Sequence, residues 1–284
     1  MVKKMGEFDD LDDMPSKGKR TSFGGSKIKW ETVLPIVVVI VVVLLIVFQT
    51  NIFATGLGLF TGSKSMTLLV IGSPTQEFRS VLGDAENRDL IQHIRFSDAQ
   101  TLEHNPYERI KDFDIIILDQ SLQTDKSISR SLGEAITRYV RNGGKLIVVG
   151  NSGIERPGDI SVLGWKATFG DIVPVGCEPI QRGIPSCQRG FQIQATIHAA
   201  REDHPIMYGI LRVPALESAG YLYTETFNVP IYGTEIAYVK DEVTGNVYTG
   251  IVEKQTMFGG KVLYFNYNPG LSNAIFVNTL QYLR

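Results

Sequence analysis

One stretch constrains this chain more than any other. Residues 33–48, VLPIVVVIVVVLLIVF, carry no charged or strongly polar side chain. A membrane-spanning helix needs about 20 apolar residues to cross roughly 30 Å of hydrocarbon. The run reaches that length when Gln49 to Ala54 are included. Val and Ile are mediocre helix formers in water. In lipid the backbone must satisfy its own hydrogen bonds, and helix prevails. Pro35 falls in the first turn, where its missing N–H costs nothing. Trp30 stands just before the run, at interface depth. The expectation is a transmembrane signal anchor over residues 30–54. A buried core strand is the alternative, but a run this long exceeds strand length. A cleaved signal peptide is the other; its apolar region is usually about 7–15 residues and lies nearer the N-terminus.

The flanks orient the anchor. Lys3, Lys4, Lys17, Lys19, Arg20, Lys27 and Lys29 precede it, and only Lys64 follows before the next apolar run. Positive residues stay in the cytoplasm, so the C-terminal part is expected to be extracytoplasmic and the chain to sit at the cell membrane as a single-pass protein. Membrane lipid is then the first expected partner, through residues 33–54, with Lys27 and Lys29 within reach of anionic headgroups. Envelope or membrane-protein partners form the second expected class.

Residues 1–29 combine the acidic cluster Glu7, Asp9, Asp10, Asp12 and Asp13 with a basic, Gly- and Ser-containing stretch. With few large apolar residues, this reads as a disordered cytoplasmic tail. Phe8, Leu11 and Met14 would share one face of a helical turn, a docking-peptide alternative to a solvated tail. Residues 55–65, TGLGLFTGSKS, read as a linker.

Residues 66–284 alternate strand and helix signals. Met66 to Ile71, Asp114 to Leu118, Lys145 to Val149 and Lys261 to Phe265 are short apolar runs that end in turn residues. Such continuous runs mark strands buried on both faces. Glu77 to Leu82 and Arg88 to His93 read as helical material. Ser131 to Arg141 is amphipathic, closed by Asn142-Gly143-Gly144. Asn273 to Leu283 reads as a closing helix. Phe191 to His198, Gly220 to Tyr223, Glu235 to Val239 and Tyr248 to Glu253 make the second half β-rich. The expected fold class is α/β: a doubly wound, mostly parallel sheet with a β-rich second half, preceded by one transmembrane helix.

These residues resemble class I glutamine amidotransferase-like domains, which have a flavodoxin-like fold. The resemblance lies in Asp114 to Ser121 as strand and turn, the helix Ser131 to Arg141, and Gly143-Gly144-Lys145 leading to a strand and Gly150. Asp203-His204-Pro205-Ile206-Met207-Tyr208-Gly209 is similar to a stretch of the non-catalytic and trehalose-utilisation-like members. Gly260 to Phe265 with Asn268-Pro269-Gly270 resembles their ending. The family's chemistry needs a Cys on the turn after the strand matching Lys145 to Val149, with His and Glu later. This chain has Gly150-Asn151-Ser152-Gly153 there. The resemblance thus implies a catalytically inactive domain that binds or scaffolds.

One enzymatic alternative stays open: a serine hydrolase with Ser152 as nucleophile, His198 or His204 as base and Asp119 to orient it. Against it, Ile154 stands where G-x-S-x-G needs Gly, and Asn151 and Ser152 are also ordinary turn formers. Open α/β sheets bind ligands at the carboxyl ends of their strands. That edge is expected to carry Ser73, Thr75, Asp119, Ser121, Asn151, Ser152, Asn266 and Asn268, groups that equally form turns.

His93, His104, His198 and His204 lack ligand spacing, so no metal is expected. No phosphate loop is present, and no cofactor is expected. A net charge of −2 leaves no basic surplus for nucleic acid. Cys177 and Cys187, the two cysteines, bracket CEPIQRGIPSC. Outside the cell they would pair as a disulfide; two free thiols are the alternative.

Overall fold

The computed structural model describes residues 37–39, 41–42, 65–178, 183–216, 218 and 220–284. The chain divides into two compact units, Met1–Ser63 and Lys64–Arg284.

In the first unit the described residues are Val37–Val39 and Val41–Val42. They are helical, and each is about half exposed. No helix among the described residues is long and apolar enough to cross a membrane. The expected transmembrane helix therefore does not form part of the described fold. The rest of the 30–54 expectation, the tail and residues 55–64 of the linker lie outside the described residues.

The second unit is built on a ten-stranded sheet. Its first half follows the β-α-β logic of alternating apolar strands and amphipathic helices. Strand β1 (Met66–Gly72) leads through helix α1 (Gln76–Asn87) to β2 (Ile91–Ser97). A short helix α2 (Pro106–Ile110) precedes β3 (Ile115–Asp119). Helix α3 (Arg130–Arg141) then leads to β4 (Lys145–Val149). Thr75 caps α1 by accepting from the Phe78 amide, and Ser129 caps α3 by accepting from Leu132.

A two-stranded ribbon follows, β5 (Glu155–Arg156) with β6 (Asp159–Leu163), and then helix α4 (Trp165–Phe169). The second half comprises β7 (Gly190–Ala199), β8 (Arg212–Val213), β9 (Leu222–Phe227), β10 (Thr234–Asp241), β11 (Val247–Gln255) and β12 (Lys261–Phe265). Helix α5 (Asn273–Leu283) ends the chain.

The strand order is β2-β1-β3-β4-β12-β11-β10-β7-β8, with β9 paired to β7. Pairings from β2 to β12 are parallel. Those among β12, β11, β10, β7, β8 and β9 are antiparallel. The sheet is therefore mixed, which corrects the expected mostly parallel sheet. The reason is connection length. Residues 242–246 and 256–260 join β10 to β11 and β11 to β12. A parallel pair needs a crossover of a dozen or more residues, so these short turns permit only hairpins.

Both faces of the central strands are buried. Leu68, Val70, Ile115, Ile117, Leu263 and Phe265 pack under α1 and α5, where Phe78 and Phe276 meet edge to face at 4.8 Å. Leu69, Ile71, Ile116, Leu118, Val262 and Tyr264 face the other way, under α3 and α4. Alternate residues of one strand thus serve two cores.

One expected helix is a strand. After α1 ends, Asp89 takes a left-handed conformation (φ 56°) and turns the chain into β2. Of the residues expected as an Arg88–His93 helix, Arg88 therefore caps α1, Asp89 and Leu90 turn, and Ile91–His93 begin the edge strand. Only Ile91 of β2 is fully buried, so its pattern carries little strand signal.

Candidate functional site: a polar cleft at the carboxyl edge

The carboxyl ends of β1, β3, β4 and β12 lie along one edge of the sheet. The expected ligand residues all follow these strand ends, but they divide into two groups.

Four are spent on structure. The Ser152 hydroxyl is buried and accepts the Gln120 amide at 2.8 Å, while the Ser152 carbonyl accepts from Trp165 Nε1 at 2.9 Å. The turn around it is sharp. A Cβ on Gly153 (φ 72°) would meet Leu118 and the Phe169 ring within 3 Å, so only glycine fits. Asn266 is buried, and its amide is fully used. Oδ1 accepts from Phe227 N and Tyr264 Oη; Nδ2 donates to the Phe227 and Thr249 carbonyls. Asp119 is buried, and its Oδ1 accepts from the Ser121 amide and hydroxyl. Its Oδ2 makes no hydrogen bond among the described residues. Burial pushes its carboxyl above the usual range, against the lowering by the Ser121 hydrogen bonds. Ser73 accepts weakly from Gln123 Nε2 at 3.5 Å and stands outside the cleft described next.

Thr75, Ser121, Asn151 and Asn268 line a cleft of about 200 Å³. Three of these are partly committed. Thr75 caps α1, Ser121 donates to Asp119, and Asn268 Oδ1 accepts from the Gly270 amide. The half-buried Asn151 side chain makes no hydrogen bond among the described residues.

Sequence reasoning missed Lys126, in the loop after β3, and the wall carried by β7 and β9. Lys126, Gln192, Tyr223 and Glu225 also line the cleft. Lys126 donates to the Gln120 and Ser121 carbonyls at 2.5 and 3.5 Å. Desolvation lowers its pKa, opposed by the charges of Glu225, Asp119 and Glu155. Gln192 and Glu225 face each other across the β7–β9 pairing. That ribbon is held to the carboxyl edge by the Asn266 side chain and by Thr224 Oγ1, which accepts from the Asn268 amide at 3.4 Å. No local pattern marks these residues, because β9 reaches β4 and β12 only through the fold.

The histidines stand elsewhere. His198 is near the end of β7, which runs antiparallel to β10 and so finishes at the amino edge. Its ring stacks on Tyr238 at 5.0 Å, and Nε2 bonds Thr196 Oγ1 at 2.8 Å. Burial lowers its pKa. His204 Nδ1 accepts from the Ile206 amide, and its Nε2 lies 3.5 Å from Glu253. The fold therefore does not bring Ser152, Asp119 and either histidine together as a triad. Cys177 and Cys187 form a disulfide. Among the described residues, no three His, Cys, Asp or Glu side chains converge to hold a metal ion.

No family model matches the chain, and no curated protein matches it. Among solved structures it is similar to a catalytic mutant of a GH42 beta-galactosidase from G. stearothermophilus. That likeness has 13% identity and a TM-score of 0.48, and covers 77% of this chain and 30% of that one. It is also similar to an exo-beta-1,4-mannosidase from Opitutaceae bacterium strain TAV5. Here the identity is 11% and the TM-score 0.38, covering 76% and 33% of the two chains. The chain thus spans about a third of the length of these proteins. A likeness this distant says nothing about chemistry.

Proposed function

We propose that residues 66–284 form a non-catalytic binding or scaffold domain, related to the class I glutamine amidotransferase-like domains, that takes a small polar ligand in the carboxyl-edge cleft. The observation that carries this is the commitment of Ser152. At the turn where the family places its nucleophile, the hydroxyl is buried and accepts the Gln120 amide. Beside that turn, the uncommitted groups are hydrogen-bonding ones. The side chains of Asn151, Gln192 and Glu225 make no hydrogen bonds among the described residues, the Glu225 charge acts on Lys126, and Lys126 keeps one donor. Such a set suits binding by hydrogen bonds and charge rather than bond cleavage.

The working location is extracytoplasmic, at a membrane. The Cys177–Cys187 disulfide supports an oxidising compartment. The apolar run 33–48 and the lysines before it support attachment at a membrane.

The test is labelling of the full chain with a serine-reactive fluorophosphonate. The expected result is no labelling of wild type. Labelling that disappears in Ser152→Ala would overturn the non-catalytic reading. A reporter fused after Arg284 that is active in the cytoplasm would overturn the location.

A further inference from the structure

The β11–β12 hairpin closes through residues 256–260, and its tip carries Met257 and Phe258, 98% and 79% exposed. A lone exposed apolar side chain is ordinary on a protein surface. Two adjacent large ones at a projecting tip call for an occupant.

The register places this tip. Gln255 pairs with Lys261, Lys261 with Lys145, Lys145 with Ile115, and Ile115 with Leu68. The tip therefore stands at the amino edge of the sheet, the edge where β1 begins. Four strand spacings separate β11 from β1, or roughly 20 Å at about 4.8 Å each. The described part of this unit begins at this same edge, at residue 65. Upstream of it lies the apolar run 33–48. Lys254 and Lys261 flank the tip on the two strands of the hairpin. Lys254 Nζ donates to the Asp171 carbonyl, and Lys261 Nζ lies 3.6 Å from the centroid of the Tyr282 ring.

We propose that the Met257–Phe258 tip inserts into the interfacial layer of a lipid bilayer, with Lys254 and Lys261 at headgroup level. The apolar pair leaves water, and the ammonium groups stay among anionic headgroups. The domain then docks with its amino edge against the membrane, and the polar cleft at the carboxyl edge faces away from it. This inference rests on the reading that residues 33–48 hold the chain at a membrane.

The test uses the full chain with Phe258→Cys carrying an environment-sensitive fluorophore. The native cysteines are occupied by their disulfide. The chain is reconstituted in vesicles of phosphatidylcholine and phosphatidylglycerol. A matched probe at Val243, 69% exposed in the β10–β11 turn at the opposite edge, is the control. The expected result is a blue shift at 258 and loss of its emission when nitroxide-bearing lipid is included, with neither change at 243. A chain that floats with the vesicles while 258 behaves like 243 overturns the insertion and leaves the attachment standing. A chain that does not float overturns both. Shielding of 258 from aqueous iodide without quenching by nitroxide lipid means that a protein covers the tip, and also overturns the proposal.

Discussion

The side chain of Asn266 hydrogen-bonds both backbone groups of Phe227. Its Oδ1 accepts from Phe227 N at 3.0 Å, and its Nδ2 donates to Phe227 O at 2.7 Å. A side-chain amide thus does for the end of β9 what a neighbouring strand would do. It also accepts from Tyr264 Oη and donates to the Thr249 carbonyl, so it ties β9, β11 and β12 together in a site without water access. Asn266→Ala strands several buried polar groups at once, and each costs about 1–3 kcal/mol. The expected loss is about 3 kcal/mol or more of unfolding free energy in urea. Asn266→Asp loses more at neutral pH, because an oxygen then faces two carbonyls.

Asp119 makes a prediction of opposite sign. Its carboxyl is buried, Oδ2 makes no hydrogen bond among the described residues, and desolvation raises its pKa. A carboxyl whose folded pKa is raised contributes stability below its unfolded pKa and loses it as pH rises through the folded value. Above its unfolded pKa the carboxyl therefore weakens the fold, whether it ionises in place or keeps its proton. An amide in its place would keep an oxygen for Ser121 and remove the charge. Asp119→Asn is expected to unfold at equal or higher temperature than wild type at pH 7, and the gain should vanish in acid. Melting curves across about pH 3 to 8, a range spanning ordinary carboxylate titration, measure it.

Glu253 behaves the other way. Burial raises its pKa, but hydrogen bonds from His204 and Tyr282 outweigh this, and the net shift is downward. Tyr282 Oη donates to it at 2.7 Å. A carboxyl whose folded pKa is lowered contributes stability above its unfolded pKa and loses it as pH falls through the folded value. Glu253→Gln should therefore destabilise at neutral pH by about 1.5–3 kcal/mol, the range for a hydrogen bond to a charged group. The difference between variant and wild type should narrow in acid.

The disulfide closes the loop between Cys177 and Cys187. In the chain-entropy account, a short closed loop is worth about 2–3 kcal/mol. Cys177→Ser with Cys187→Ser should lower the urea midpoint by a corresponding amount. The wild-type chain, unfolded without reductant, should show no thiol that reacts with a disulfide dye. One reactive thiol per cysteine would contradict the bond.

Much of the site's scaffold was legible from local pattern. Continuous apolar runs announced β1, β3, β4 and β12, and one-faced spacing announced α3 and α5. Each of these signals lies within one segment, so burial imposes it on the residues themselves. Of the eight residues expected at the carboxyl edge, Thr75, Ser121, Asn151 and Asn268 line the cleft. Local pattern could not separate them from Ser152 and Asn266, which have the same turn chemistry but buried, committed side chains.

Local pattern carries where chain segments are apolar, where they turn, and that no cysteine occupies the turn after β4. Tertiary structure alone decided the rest. Short connections made hairpins of β10–β11 and β11–β12, and β7 joined β10 antiparallel across a longer one. That reversal sent His198 to the amino edge, away from Ser152. It also let the β7–β9 ribbon carry Gln192, Tyr223 and Glu225 to the opposite wall of the cleft. The physical reason is that hydrogen-bond satisfaction is settled between segments. Ser152 and Asn151 are neighbours in the chain, yet the hydroxyl of one is buried and accepts from Gln120, while the side chain of the other lines the cleft and makes no hydrogen bond among the described residues.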